Sequence, residues 1–186
     1  MYKGIKIIAF DADDTLWENE AYFREVEDEF AKMFTDYETE NKIHQELFRK
    51  QIENLSIYGY GIKGFVVECA LEISNKKVSS SKIEKILELG KEMFEKPIEL
   101  VENIKEVLSE LKGKYKLIVV TKGDLLDQQR KLEKSGLVDY FHHIEVLSDK
   151  KVEDYKKMLK RLEINPKELL MIGNSLKSDV LPLIKV

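Results

Sequence analysis

The sequence has little cysteine, no long apolar run and no excess of basic charge, and each absence excludes a class of protein. Its single cysteine, Cys69, has no internal partner, so no disulfide framework holds the fold. No window approaches the roughly 20 uninterrupted apolar residues that span a bilayer, so we expect no association with membranes. The net charge of -4, with both signs mixed along the chain, lacks the basic footprint of a nucleic-acid-binding protein.

We expect no export signal in the N-terminal segment. Its apolar run is short, and acidic residues follow where a small-residue cleavage site is expected. Cys69 lies in the apolar segment "FVVECALEI", which is typical of a buried small hydrophobic residue rather than a reactive thiol. We therefore expect a cytoplasmic protein. At 186 residues, the chain is long enough for one well-buried core and a small second module, but not for two large domains.

Four short runs of β-branched and other apolar residues predict buried strands, and each is followed by turn or capping residues and then by a helical pattern. Strand and helix in alternation predict right-handed crossovers and a parallel sheet, hence a Rossmann-like three-layer α/β core. The strands are predicted at 5–10, 116–120, about 143–147 and 169–172, and the helices at 99–112, 125–136, 152–162 and from 176 onward.

The region from about 18 to 95 departs from this alternation. It contains four consecutive amphipathic segments and no strand, which predicts a helical bundle inserted after the first strand. We therefore expect an α/β core formed by 1–17 and 96–186, with 18–95 as a helical cap domain. The alternative is that this bundle merely covers hydrophobic surface.

Polar side chains follow all four predicted strands, at the sheet edge where open parallel sheets bind ligands. Asp11 and Asp13 follow the first strand and share a face, since side chains two apart in an extended segment point the same way. The alternative is that "DADDT" is only a turn and helix cap, since Asp and Thr favour both. The later strands are followed by Thr121 and Lys122, by Lys150 and Lys151, and by Gly173, Asn174 and Asp179.

This set resembles the haloacid dehalogenase superfamily. "DADDT" resembles its first motif, Asp-x-Asp-x-Thr, Thr121 the second, Lys150 the third and "GNSLKSD" a version of the fourth. Lys150 is preferred over Lys151 because its spacing from Tyr155 resembles the family's. The order of motifs and the helical insert agree as well, so the resemblance spans essentially the whole chain.

The resemblance implies a phosphatase mechanism on these residues. Asp11 would be a nucleophile that forms an aspartyl-phosphate, and Asp13 a general acid and then base. Thr121 and Lys150 would hold the phosphoryl oxygens. Mg²⁺ would be bound by Asp11, the backbone carbonyl of Asp13 and Asp179, with Asn174 standing where many members have Asp. Candidate substrate contacts beyond the motifs are Lys122, Trp17 near the entrance, and Tyr58 and Tyr60 in the glycine-rich loop "YGYGIKG".

We therefore expect a Mg²⁺-dependent phosphomonoester hydrolase of a small phosphorylated metabolite, either a monomer or a homodimer. A phosphomutase or phosphotransferase with the same catalytic residues is the alternative. Dehalogenases resemble the fold but lack an acid at the position of Asp13, because halide leaves without a proton. A non-catalytic receiver module also places acids and a lysine at strand ends, but it is smaller and lacks the insert. Related proteins continue into at least one more strand, so the chain is expected to be incomplete at its C-terminus.

Overall fold

The structure, a computed structural model, describes residues 3–58, 62–75 and 77–186. The chain separates into two compact units, one formed by Met1–Asn19 with Ile98–Val186 and the other by Glu20–Pro97. The chain passes from one unit to the other after residues 19 and 97, and each of these boundaries lies two residues beyond the predicted one. The first unit is the α/β core, and the second contains helices alone among the residues described. Whether this helical unit acts as a cap stays a prediction.

The α/β core is built on a four-stranded parallel sheet in the order β3-β2-β1-β4. The candidate motif that contains Asp11 therefore follows β1, an inner strand, Thr121 and Asp179 belong to its neighbours β2 and β4 or the turns after them, and Lys150 follows β3 at the edge beyond β2. All four strands were predicted within a few residues, because buried parallel strands are continuous apolar runs. Their bounds are Ile7–Phe10 for β1, Lys116–Lys122 for β2, His143–Leu147 for β3 and Leu169–Ile172 for β4.

Helices cover both faces of this sheet, which gives the three-layer architecture that was predicted. Alternate residues of each strand point to opposite faces. One face, represented by Ile8, Phe10, Leu117 and Val119, packs against two helices, α5 (Ile104–Leu111) and α6 (Leu125–Ser135). The other face, represented by Ala9, Ile118 and Val120, packs against α7 (Val152–Arg161) and α8 (Leu181–Ile184).

Two predicted helices of the core are shorter than expected. The helix predicted at 99–112 begins only at Ile104, because Glu99 and Leu100 pair as extended backbone with Glu18 and Trp17. The helix predicted from 176 onward begins with a π-helical turn, Leu176–Val180, and Pro182 lies at the start of the short α8 that follows. Single π-helical turns are rare and occur mostly at functional sites.

The helical unit has a hydrophobic core of its own. Its four helices are α1 (Glu20–Met33), α2 (Glu40–Tyr58), α3 (Ile62–Ile73) and α4 (Ser80–Glu95). Ser79 caps α4 by accepting a hydrogen bond from the Lys82 backbone N–H. No helix in the described part of the chain is both long and apolar enough to cross a bilayer. The buried apolar residues of this core include Val26, Phe30, Phe34, Ile43, Leu47, Cys69 and Ile86.

Candidate active site at the carboxyl edge of the sheet

The loop after β1 fixes Asp11 and Asp13 on the ligand-binding edge of the sheet. The Asp11 backbone N–H donates to the Ile172 carbonyl at 2.8 Å, which continues the pairing of β1 with β4. Ala12 between them is fully buried in the core. Asp14 then adopts a left-handed conformation, φ 57°, which turns the chain. Asp tolerates this conformation better than most residues.

Lys150 contacts two carboxylates at once, one near the N-terminus and one near the C-terminus of the chain. Its Nζ donates to Asp11 Oδ1 at 2.5 Å and to Asp179 Oδ1 at 2.6 Å. Because both contacts share the Lys150 Nζ, the distance between Asp11 Oδ1 and Asp179 Oδ1 cannot exceed the sum of these two distances. The side chains of all three residues are nearly inaccessible, with 1% of Lys150, 11% of Asp11 and none of Asp179 exposed. The structure thus brings together the acids that the sequence placed at one site.

Burial dominates the electrostatics of this cluster. Desolvation raises the pKa of the Asp11 carboxyl above its usual value, and the neighbouring Lys150 ammonium opposes that rise. The group carries two carboxylates and a single ammonium, so with all three ionised it has an excess negative charge. A buried excess charge is costly unless a further cation balances it.

The turn after β4 is shaped around Asp179. The Ser175 backbone N–H donates to Asp179 Oδ2 at 3.0 Å, and the Asp179 N–H donates to the Ser175 carbonyl at 2.7 Å. Gly173 passes so close that a Cβ built on it would lie 2.4 Å from the Asp179 carboxyl carbon. Only glycine therefore fits at position 173 without displacing Asp179. Asn174, predicted as a metal-site residue, is exposed beside this turn.

Thr121, Lys122 and Tyr155 surround the same edge. Thr121 is buried near the carboxyl end of β2. The Lys122 Nζ donates to Ser178 Oγ at 3.3 Å, and the Tyr155 hydroxyl donates to the Ser178 carbonyl at 3.0 Å. Burial also raises the pKa of the Tyr155 hydroxyl, so it remains a proton donor. Both side chains thus support the turn that carries Asp179, and Lys122 lies within reach of the candidate site.

Lys151, the alternative to Lys150, lies outside this cluster. Its side chain is 78% exposed and pairs with Asp149 at 2.9 Å, while Lys150 is buried between the two acids. Lys151 is instead the N-cap residue before α7, and its backbone N–H donates to the Asp154 carboxylate. This placement favours Lys150 as the lysine of the candidate site, which is the residue that the sequence analysis preferred.

Trp17 does not line an entrance, contrary to the prediction. The residue is 1% exposed and packs in the core of the α/β unit, because its side chain joins the apolar cluster and its backbone bridges to Leu100. Only its polar edge faces the site, where Nε1 donates to Asp13 Oδ1 at 2.8 Å. Tyr60 falls outside the described residues. Tyr58 ends α2, and its side chain also falls outside the described part.

Two residues of α6 that the sequence did not single out also contact Asp13. Gln128 Nε2 donates to Asp13 Oδ2 at 2.8 Å, and Lys131 Nζ donates to Asp13 Oδ1 at 3.1 Å. Both belong to an unremarkable amphipathic helix far along the chain from Asp13. Nothing in their spacing indicated that the helix face would turn toward the "DADDT" loop.

The donor set fits Mg²⁺ in part. No group of three or more acidic, histidine or cysteine side chains stands together as a metal cluster within the described ranges. The site offers a carboxylate pair, Asp11 and Asp179, whose oxygens converge on one cation, Lys150. Mg²⁺ usually takes one or two protein carboxylates and fills its other positions with water and phosphate oxygens. The pair and its excess negative charge are therefore compatible with that ion.

The chain belongs to the haloacid dehalogenase-like hydrolases, since the model of that family matches residues 5–186. It is similar to a haloacid dehalogenase-like family hydrolase from Xanthomonas campestris, with 35% identity and a TM-score of 0.91 over 98% of this chain and 78% of that one. The family and the fold predicted from the four motifs are confirmed.

Two further proteins resemble the chain more distantly. N-acylneuraminate-9-phosphatase from Rattus norvegicus is 29% identical over 86 residues, which are 44% of this chain and 35% of that protein. The match thus spans about a third of that relative's length. A HAD hydrolase from Bacillus subtilis, solved bound to magnesium, shares the fold, with 18% identity and a TM-score of 0.68 over 98% of this chain and 86% of that one.

Proposed function

We propose that the protein is a Mg²⁺-dependent phosphomonoester hydrolase that acts on a small phosphorylated metabolite through an aspartyl-phosphate on Asp11. The observation that carries the proposal is the buried cluster in which Lys150 contacts both Asp11 and Asp179. This arrangement gives a carboxylate nucleophile, one fixed cation and an excess negative charge that suits a divalent ion. The related rat protein is named as a phosphatase, which agrees with this reaction class.

In the first step, an Asp11 carboxylate oxygen attacks phosphorus and the bond from phosphorus to the ester oxygen breaks. Lys150 and the Thr121 hydroxyl stabilise the charge on the transferring phosphoryl oxygens. The Asp13 carboxyl gives its proton to the leaving alkoxide. A bound Mg²⁺, held by Asp11, Asp179 and the Asp13 carbonyl, would offset the repulsion between nucleophile and phosphate.

In the second step, water attacks the phosphorus of the aspartyl-phosphate, and the Asp13 carboxylate takes a proton from that water. The bond between phosphorus and the Asp11 oxygen breaks, which releases inorganic phosphate and restores the Asp11 carboxylate. Lys150 then again contacts a charged carboxylate. Both steps use only groups whose side chains lie at the carboxyl edge of the sheet.

Asp13 separates this reaction from dehalogenation. A halide leaves as a stable anion, whereas an alkoxide requires a proton, and Asp13 is held at the site by three donors. The helical unit, Glu20–Pro97, is proposed to act as a cap that excludes water during the first step and contacts the non-phosphate part of the substrate. Substrate choice would then depend on that unit.

The test is a phosphate-release screen with and without Mg²⁺, run beside Asp11→Asn. The panel contains p-nitrophenyl phosphate, phosphorylated sugars, nucleotides, phosphoglycolate and a 9-phosphorylated neuraminate. We expect Mg²⁺-dependent release that Asp11→Asn abolishes. Equal hydrolysis by the wild type and by Asp11→Asn would show that Asp11 is not the nucleophile. Transfer of the phosphoryl group to a second alcohol without phosphate release would identify a phosphomutase or phosphotransferase instead.

A further inference from the structure

The Asp13 carboxylate accepts hydrogen bonds from three side chains that belong to two different parts of the core. Trp17 Nε1 and Lys131 Nζ donate to Oδ1, at 2.8 Å and 3.1 Å, and Gln128 Nε2 donates to Oδ2 at 2.8 Å. Lys131 also donates to Asn19 Oδ1 at 2.8 Å and pairs with Asp127 at 3.4 Å. The ammonium is therefore fixed by three acceptors and cannot turn freely.

The start of α6 is built to present Gln128 and Lys131 on one face. They are three positions apart, so they are neighbours on the helix surface. Asp124 caps the helix by accepting from the Asp127 backbone N–H at 2.9 Å. Gly123 precedes this cap with φ 148°, and a Cβ there would come within 3.1 Å of Gln128 Nε2. The glycine leaves space for the Gln128 amide beside the β2 end.

Gln128 is only 4% exposed, and core packing alone does not explain why this polar side chain is buried. Its Oε1 has no hydrogen-bond partner among the described residues, and a buried unpaired carbonyl is destabilising. Rotating the amide would not help, because it would direct Oε1 at the Asp13 carboxylate and remove a donor. The attraction between the Nε2 donor and the Asp13 carboxylate therefore fixes this orientation of the amide, although Oε1 is left without a hydrogen bond.

We propose that Gln128 and Lys131, together with the Trp17 indole, form a three-donor clamp that positions Asp13 so that its Oδ2 exchanges the catalytic proton. A carboxylate oxygen has two acceptor sites. Oδ1 is filled by Trp17 and Lys131, whereas Oδ2 accepts from Gln128 alone among the described residues and keeps one site. The proton given to the leaving alkoxide, and the proton taken from water, therefore use that remaining site of Oδ2 with all three donors in place.

This inference rests on the proposed function, but its first test does not require activity. Trp17 is the only tryptophan in the sequence, so a ¹⁵N-labelled sample gives one indole N–H resonance. We expect Gln128→Leu and Lys131→Met each to shift that resonance and speed its hydrogen exchange, as Asp13→Ala does. Gln129→Ala is the matched control, because Gln129 is the exposed neighbour of Gln128. Lys131→Arg keeps a donor and should restore the wild-type resonance.

The second test uses the leaving group. A p-nitrophenolate leaves without a proton, whereas an alkoxide needs one. With an alkyl phosphate, we expect Gln128→Leu and Lys131→Met to lower kcat by about 10–100-fold, with KM changed less than about threefold, because a misplaced general acid loses that much. The initial burst of p-nitrophenol from the aryl ester should change by less than about threefold. A merely structural defect would lower both alike.

The outcomes separate the clamp from the function. If no substrate is hydrolysed but the indole resonance shifts as expected, the clamp stands and the phosphatase proposal fails. If Gln128→Leu and Lys131→Met leave the indole resonance and the ratio of alkyl to aryl activity as in Gln129→Ala, the clamp is overturned while the function survives. Should Gln128→Leu or Lys131→Met fail to fold, a Lys131→Arg variant whose resonance differs as much as that of Asp13→Ala would contradict the proposal.

Discussion

At the scale of single residues, the site depends on one buried lysine between two buried carboxylates. Neither acid has another basic side chain at ion-pair distance among the described contacts, so Lys150 alone offsets their charge. Removing one member of a buried ion pair leaves an uncompensated charge, which is more destabilising than losing an exposed pair. The neighbouring Lys151 offers the same side chain in an exposed position.

Lys150→Met should therefore reduce stability strongly in metal-free protein. We expect the free energy of unfolding to fall by about 3–5 kcal/mol, because Asp11 and Asp179 would face each other without a cation. The matched control is Lys151→Met, which should change stability by less than about 1 kcal/mol because its ion pair is exposed. Urea unfolding in EDTA measures both. Equal losses for the two variants would contradict the placement of Lys150.

The raised pKa of Asp11 predicts how stability depends on pH in metal-free protein. The folded state holds the Asp11 proton more tightly than the unfolded chain, whose Asp titrates near pH 3.9. The free energy of unfolding should therefore fall as pH rises from about 4 through the folded pKa, and then level off. Asp11→Asn removes this dependence and should be more stable than wild type on the high-pH side.

Urea unfolding in EDTA between about pH 4 and pH 8 checks this sign. Asp139→Asn is the control, since Asp139 is exposed and should leave the pH dependence unchanged. An Asp11→Asn variant that is less stable than the wild type throughout the range would mean that the Lys150 pair outweighs the burial of Asp11.

At the scale of elements, the turn between β4 and α8 depends on Gly173. Gly173→Ala would place a methyl group 2.4 Å from the Asp179 carboxyl carbon, so the carboxylate would have to leave its hydrogen bonds with Lys150 and the Ser175 N–H. We expect at least a tenfold loss of phosphatase activity and a weaker stabilisation by Mg²⁺ in a thermal melt, because displacement of a positioned group by about 1 Å can cost a factor of about 100.

Gly90→Ala is the matched control for that substitution. Gly90 lies inside α4 with open space where its Cβ would be, so alanine should stabilise the protein by about 0.5–1 kcal/mol without changing activity. If Gly173→Ala behaved like Gly90→Ala in activity and in the Mg²⁺ shift, the close approach to Asp179 would have no functional role.

The elements that the sequence predicted well were those with a strong local pattern. The four strands are continuous apolar runs, and the helices of the second unit have clear amphipathic faces. The start of α5 was placed too early because nothing local showed that Glu99 and Leu100 would pair with a segment far back in the chain. The π-helical turn around Asp179 was also missed, because its hydrogen bonds between Ser175 and Asp179 are local and neither residue type distinguishes a π turn from an α-helical one.

At the scale of the whole molecule, the motif residues converged because parallel strands bring their carboxyl ends to one edge. This rule sufficed to predict from the sequence that Asp11, Lys150 and Asp179 would meet, as their contacts show. It could not supply Gln128 and Lys131, which reach Asp13 from a helix face, nor the burial of Trp17. Those contacts depend on how the layers pack, and no single-segment pattern records that packing.

The second unit carries a built-in reporter of its own unfolding. Cys69, the only cysteine, has no exposed surface, and burial raises the pKa of its thiol to about 12. An unfolded thiol titrates near pH 8.5. The free energy of unfolding should therefore fall as pH rises from about 8.5 toward the folded pKa, and below about pH 8.5 this thiol should not affect it.

At pH 8 we expect the native protein to resist an aromatic disulfide reagent, with the labelling rate rising with urea as the helical unit opens. Because no second cysteine exists in the sequence, every labelling event reports position 69. Fast labelling of the native protein, at a rate that does not depend on urea, would show that the core around Cys69 is open.

The account depends most on Asp11 becoming phosphorylated during turnover. Acid-quenched protein, taken from a reaction with p-nitrophenyl phosphate and Mg²⁺, can be digested and the peptide that contains Asp11 examined by mass spectrometry. The account predicts one phosphoryl group on that peptide, converted by borohydride to a reduced side chain at position 11, and neither product in Asp11→Asn. Steady hydrolysis with no phosphoryl group on that peptide would contradict it.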